Sequence, residues 1–313
     1  MASTTAPADL ITDPLVGTSR SGGLWRDTLA SVLRQRNARV GLLMLGGLLL
    51  VAIFADVIAA YDPNKVLFDQ GVKRLAGPCI HLLGCPQAAQ EHLFGIDANG
   101  RDEFSRVLHG ARISLQVGFL TVGFAIVLGS LLGLVAGYAG GVIGGLIMRT
   151  MDVLLVFPGL LLAIAIVSAL GPGLINAQLA IGIVAIPVYA RIMRASVLSV
   201  RETDYVVASR ALGESATGLV FRRILPNSLT PIVVAGTLGI AGAVLEVAAL
   251  SFLGLGAQPP TSEWGSMVGQ DRGFVFTAPH LVFFPGIALA LTVFGFNLLG
   301  DGLRDALDPR LNR

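Results

Sequence analysis

Six long apolar runs constrain this chain more than any other feature. They cover roughly residues 40–60, 113–137, 153–170, 175–190, 231–256 and 281–300, the fourth being the shortest. A helix needs about 20 consecutive apolar residues to cross a bilayer, whereas a barrel strand needs only about 10, with alternating polarity. These runs are too long and too uniformly apolar for strands. Charged residues make up only 13% of the chain, far below the roughly 25% of a soluble domain. The expected fold is an all-α polytopic membrane protein with six transmembrane helices.

Glycine is abundant, at 39 residues. In lipid, small residues let helix backbones approach closely, and Gly129, Ser130, Gly133 and Gly137 fit that use. They are assigned no chemistry.

Positive charge concentrates on the cytoplasmic side of membrane proteins. With the N-terminus inside, six crossings put the C-terminus inside too. The inner side then carries 15 of the Lys and Arg residues, from Arg20 and Arg26 in the tail to Arg304, Arg310 and Arg313. The outer side carries 7: Lys65, Lys73, Arg74, Arg101, Arg106, Arg112 and Arg272. Both termini are therefore expected in the cytoplasm.

The expected organisation follows. Residues 1–39 form a cytoplasmic tail with an amphipathic lead-in from 24, and 40–60 the first crossing. Residues 61–112 are an outer loop with an interfacial helix, and 113–303 the core of the remaining crossings. That core includes a cytoplasmic loop at 199–230 and an outer loop at 257–280. Residues 304–313 are a cytoplasmic tail. The first apolar run starts too late for a cleavable signal peptide and reads as an uncleaved anchor. The net charge is +2 and the basic residues follow topology, so no nucleic-acid partner is expected.

Cys79 and Cys85 fall in the first outer loop, where a disulfide is permitted; two free thiols are the alternative. A metal site from Cys79, His81, Cys85 and His92 matches no zinc spacing.

Energy-converting motifs are missing. A phosphate-cradling loop needs a lysine after a glycine pattern, and the two lysines, Lys65 and Lys73, do not have it. There is no H-E-x-x-H helix or G-x-S-x-G elbow. The chain is expected to be no enzyme and to bind no cofactor of its own.

One charged element interrupts the apolar half: YVVASRALGESATGLVFRRILPN, from Tyr205 to Asn227. Thr203 or Asp204 can cap a helix start, and Gly213 suits a left-handed C-terminal cap. Tyr205, Ala208 and Leu212 fall on one helical face, the expected anchoring face. Ser215 can cap a second helix, which Pro226 follows. Pattern alone leaves docking to a protein or to lipid headgroups equally open.

The stretch resembles the cytoplasmic loop of permease subunits of ATP-binding-cassette importers, in the dipeptide and oligopeptide branch. Tyr205, Val206, Ala208, Arg210, Ala211, Leu212, Gly213, Ile224, Leu225, Pro226 and Asn227 agree with that branch. Val207 stands where it usually has Glu, and Ser209 where it usually has Ala. The segment FGIDANGRDEFSRVLHGARISL from Phe94 also resembles the branch, as do LSFLGLGAQPPTSEWG from Leu250 and MDVLLVFPGLLLAI from Met151. Read without the resemblance, Asn99 or Asp97 caps a helix whose first turn holds Asp102 and Glu103, and Asp102 pairs with Arg106.

The resemblance implies a type I importer permease fold in the bacterial inner membrane. It implies a second homologous permease, two ATPase subunits carrying ATP and Mg, and an extracytoplasmic substrate-binding protein. Asp204, Tyr205, Val206, Ala208, Arg210, Ala211, Leu212, Gly213, Leu225 and Pro226 would then form the ATPase-coupling element. The implied cargo is di- or oligopeptides.

Glu246 lies deep in the fifth run, where an unpaired acid is costly. It and Ser251 are the candidate path-lining residues; a structural pairing of Glu246 is the alternative. Asp152 is expected in an ion pair or cap at the inner rim, and Asp56 in solvent. Rival readings are a nickel or other small-solute importer permease, and, more remotely, a channel or secondary transporter with mid-membrane charges and inverted repeats. Only Glu246 is a deep candidate, and none of His81, His92, His109 and His280 lies deep in a run.

Overall fold

The computed structural model of the protein describes residues 31–86 and 90–307. The expected tail up to residue 30 and the chain end from 308 lie outside the described residues. Nine helices of eight or more residues organise what is described: α1 Arg36–Ile58, α2 Glu103–Ala139, α3 Gly141–Val156, α4 Gly159–Leu170, α5 Leu174–Arg201, α6 Asp204–Ala211, α7 Thr230–Phe252, α8 Trp264–Asp271 and α9 His280–Leu307. Five of them (α1, α2, α5, α7 and α9) are long and apolar enough to cross a membrane alone.

The third expected crossing is not one helix. The run over 153–170 breaks at Phe157 and Pro158, and α3 and α4 meet there at 92°. Proline disfavours helical backbone in the residue before it, and Phe157 is extended (φ −83°, ψ 138°). At 12 residues, α4 spans about 18 Å, short of the roughly 30 Å hydrocarbon core. Counted as one span, this bent pair makes the sixth crossing. The fourth run errs the other way. It is not short: α5 has 28 residues, because the helix continues past residue 190 through Arg191 and Arg194.

Packing rests on close backbone approach, as the glycine spacing suggests. A Cβ on Gly129 of α2 would lie 2.7 Å from the Cβ of Tyr189 on α5, and one on Gly137 would lie 2.8 Å from Val197. At Gly133 it would collide with the Ala190 carbonyl. Around this seam, Val117, Val122, Ala125, Ile181, Met193, Val247 and Leu250 form the main apolar cluster. Leu43, Val57 and Val142 stay exposed on the outside. That is the pattern for a surface meeting lipid or other apolar helices rather than water.

The stretch between α1 and α2 is held by specific bonds rather than by helix. Cys79 and Cys85 are joined in a disulfide, and Cys79 and His92 exchange two backbone hydrogen bonds. Asp102, not Asn99 or Asp97, is the N-cap of α2, accepting the Ser105 N–H at 2.8 Å. Nor does Asp102 pair with Arg106. It takes His92 Nδ1 at 2.8 Å, while Arg106 turns to Asp97 at 3.6 Å. The chain brings His92 within reach only through its long-range fold, which an i,i+4 argument does not see.

Candidate functional site

The charged loop lies at the end of the bundle where α5 finishes. Arg201, the last residue of α5, donates to the Gly137 carbonyl near the end of α2 at 2.8 Å. α6 starts three residues later. Its N-cap position is Thr203, yet the hydroxyl donates back to Val200 O at 2.6 Å instead of capping. The C-terminus is closed as expected. Gly213 has φ +84°, its N–H reaches Arg210 O, and Glu214 N–H reaches Ser209 O. These are the two bonds of a Schellman cap.

The anchoring face differs from the expected one. Val206 is fully buried, in one cluster with Leu219 and Ile224. Tyr205, Ala208 and Leu212 point outward with Val207, Arg210 and Ala211. In an eight-residue helix the apolar residues fit more than one face, and the burial of Val206 selects among them. Of the expected docking residues, Val206 is buried and Leu225 half-buried, while the rest are exposed, Leu212 at 88%.

Ser215 caps the next turn by accepting Gly218 N–H at 3.2 Å. Three short helical pieces follow: Ala216–Gly218, a π-helical turn Leu219–Ile224, and Leu225–Ser228. Pro226 does not end this stretch. It sits in the first turn of the last piece, where a missing N–H costs nothing. Arg223 pairs with Glu214 at 3.2 Å and ties the two halves together.

Glu246 and Ser251, both on α7, do not share a face. Glu246 is exposed with Gly242 and Leu245, and no described residue forms an ion pair with it. Ser251 is buried, and its hydroxyl accepts the Ala257 N–H at 3.0 Å. Asp152 pairs with Arg191 of α5 at 2.5 Å. Asp56 is exposed but not unpartnered; it takes Arg112 at 3.1 Å and His109 at 3.0 Å.

The opposite end carries a feature that residue patterns did not reveal: a buried ionic cluster. Asp97 accepts from Asn99 N–H, Arg101 N–H and Arg101 Nε, the last at 2.6 Å. Trp264 is fully buried and donates from Nε1 to Val107 O at 2.9 Å. Glu263 caps α8 through Gly265 and Ser266 N–H, and burial pushes its carboxyl above the usual range. Asp271 is pushed up to about 6, first by burial and then by Asp97, against the pull of Arg106, Arg101 and Arg74. Both carboxylate oxygens of buried Glu103 lack a hydrogen-bond partner among the described residues.

Residues 129–313 match the family described as binding-protein-dependent transport system inner membrane component. The chain belongs to that family. Residues 23–78 of this permease also match the N-terminal transmembrane domain of oligopeptide transport permease C. It is 46% identical to a dipeptide transport system permease of Alkalihalophilus pseudofirmus, over 92% of this chain and 90% of that one. It is 45% identical to a di/tripeptide transport system permease of Pseudomonas aeruginosa, over 90% of each chain. A glutathione transport system permease of Pectobacterium atrosepticum is 41% identical over 97% of each. Among solved structures, an inward-facing methionine ABC transporter matches with a TM-score of 0.54 at 20% identity, covering 65% of this chain and 97% of that one. That likeness shows the fold: a type I importer permease. The permease is thus a multi-pass inner-membrane subunit of a binding-protein-dependent transport system.

Proposed function

We propose that this permease carries small peptides inward as part of an ATP-driven importer, with α6 as the element on which an ATPase subunit docks. A free helix face held by one buried valine carries this reading, because it offers a surface whose covering costs the fold nothing. Arg201 at the end of α5 sits directly before this face, so movement of α6 passes into the longest helices. Asp204, Tyr205, Val206, Ala208, Arg210, Ala211, Leu212 and Gly213 form the docking element, with Leu225 and Pro226 behind it. The termini lie on the same, cytoplasmic side. A second homologous permease completes the path, Glu246 faces it, and two ATPases and an external binding protein complete the complex. ATP binds those ATPases, not this chain. Nucleotide biases the path between inward- and outward-open states only by binding them unequally. Peptide as cargo rests on the dipeptide and di/tripeptide relatives.

The test is reconstitution of the whole complex in proteoliposomes. Labelled dipeptide uptake is expected to need both ATP and binding protein, and the permease purified alone is expected to hydrolyse no ATP. Uptake without ATPase subunits would overturn the reading. The glutathione relatives, 41–43% identical, favour glutathione as a second cargo, and competition in the same assay separates the two.

A further inference from the structure

The end of the bundle opposite α6 holds a cavity of about 590 Å³, inside the roughly 300–1,000 Å³ range of small-molecule sites. It opens between the end of α7 and the later part of α8 with the turn that follows it. Gly173 N–H binds Leu255 O there, which fixes this as the end where α5 starts, away from the docking element. Arg272 lines it, with Gln258, Gln270, Phe252 and Phe274.

Arg272 is held but unpaired. Its Nη1 donates to Gly269 O at 3.0 Å and Phe252 O at 3.2 Å, and its guanidinium carbon lies 5.4 Å from the Phe252 ring centre. Two carbonyls and a ring fix the group in place. Among the described residues no carboxylate forms an ion pair with it, although Asp271 is its neighbour in the chain. Its remaining N–H groups form a planar fork of the kind that binds carboxylates bidentately.

The rest of the lining complements a peptide. Gln258 spends its amide N–H groups on Gly254 O and Gly256 O. Gln270 donates one of its own to Ser266 Oγ at 2.7 Å. Both amide oxygens remain as acceptors, and a peptide brings N–H and ammonium donors. One fixed cation, two acceptors and apolar walls match a short peptide with a free C-terminus.

We infer that this cavity is where a peptide enters the permease, with Arg272 binding its C-terminal carboxylate. The inference rests on the peptide reading above. It makes Arg272 a specificity residue of this chain, beyond any selection by the binding protein.

The test compares uptake of a dipeptide with uptake of the same dipeptide as its C-terminal amide. The assembled complex is used, with each peptide at concentrations saturating the binding protein. Wild type and Arg272→Met are compared, with Arg272→Lys as the conservative variant and nucleotide-driven ATPase activity as the control for assembly. A lost charge-assisted pair is expected to lower free-acid uptake about tenfold in Arg272→Met, to leave amide uptake unchanged, and to be partly restored in Arg272→Lys. An unchanged acid-to-amide ratio in Arg272→Met overturns the inference alone. Equal loss of both substrates overturns it too, marking Arg272 as an assembly contact. A wild-type complex that imports no peptide overturns the peptide reading and this inference with it.

Discussion

The two ends of the bundle are built by opposite rules. At one end Asp97, Arg101, Asp102, Glu103 and Arg106 are all buried and lie against His92, Trp264 and Asp271. At the other, Tyr205, Arg210, Leu212 and Arg222 stand exposed around a single buried valine. Buried ions need partners in good geometry, and Asp97, Arg101, Asp102 and Arg106 have them, so the first end admits few arrangements. The second end carries no such restriction, and its apolar residues stand exposed. Rigidity is concentrated at the ionic end, and openness at the end where we propose that another subunit docks.

Asp97→Ala breaks this comparison hardest. It leaves Arg101 and Arg106 buried without their carboxylate, with an expected loss of about 3–5 kcal/mol. Thermal unfolding in detergent should show a large drop in Tm; an unchanged Tm would mean that the cluster does not hold this end. Asp271→Asn tests the same end through pH. The folded carboxyl titrates near 6, above its ordinary 3.8, so it binds protons more tightly folded than unfolded. Its contribution is full below about pH 4 and is lost as pH rises through about 6. The wild type should therefore lose up to about 3 kcal/mol across that window, and the Asn variant should lose correspondingly less.

At the open end the expected effects on the fold shrink. Gly213→Ala forces a Cβ into left-handed backbone at a cost of about 1–2 kcal/mol. Hydrogen exchange at the α6 amides should quicken several-fold while the global Tm holds. Tyr205→Ala and Leu212→Ala should each change stability by less than about 0.5 kcal/mol. They should nonetheless lower co-purification of ATPase subunits sharply. If Leu212→Ala destabilises the permease as Asp97→Ala does, the contrast between the ends fails.

Much of this was readable in the residues. Run length points to the five long helices that can cross alone, Gly213 to the end of α6, and Ser215 to the next cap. What escaped depended on contacts distant in sequence or on a choice between equivalent local patterns. Pro158 lay in plain view, but hydropathy alone gave no angle for the break it makes. Asp102 had a local partner in Arg106 and took His92 instead. Periodicity points to Tyr205, Ala208 and Leu212 as the inward face of α6, whereas Val206 is the buried residue; a helix this short leaves periodicity ambiguous. The cluster around Asp97 was legible only as separate motifs at 94–118 and 250–268, which the fold brings together.

The glycine seam between α2 and α5 has a mechanical meaning. Helix α2 has 37 residues, about 55 Å, and its backbone touches α5 at Gly129, Gly133 and Gly137. On the α2 side no side chain stands between the helices there, and Tyr189, Met193 and Val197 of α5 pack directly onto the glycines, so the pair bends and turns as one beam. Its first residues belong to the ionic end, and Arg201 fastens its last turn beside α6. A tilt of only about 5° at the docking end then sweeps the far end by roughly 5 Å, given that length. A small push by a partner is magnified by reach alone, with no intermediate moving part.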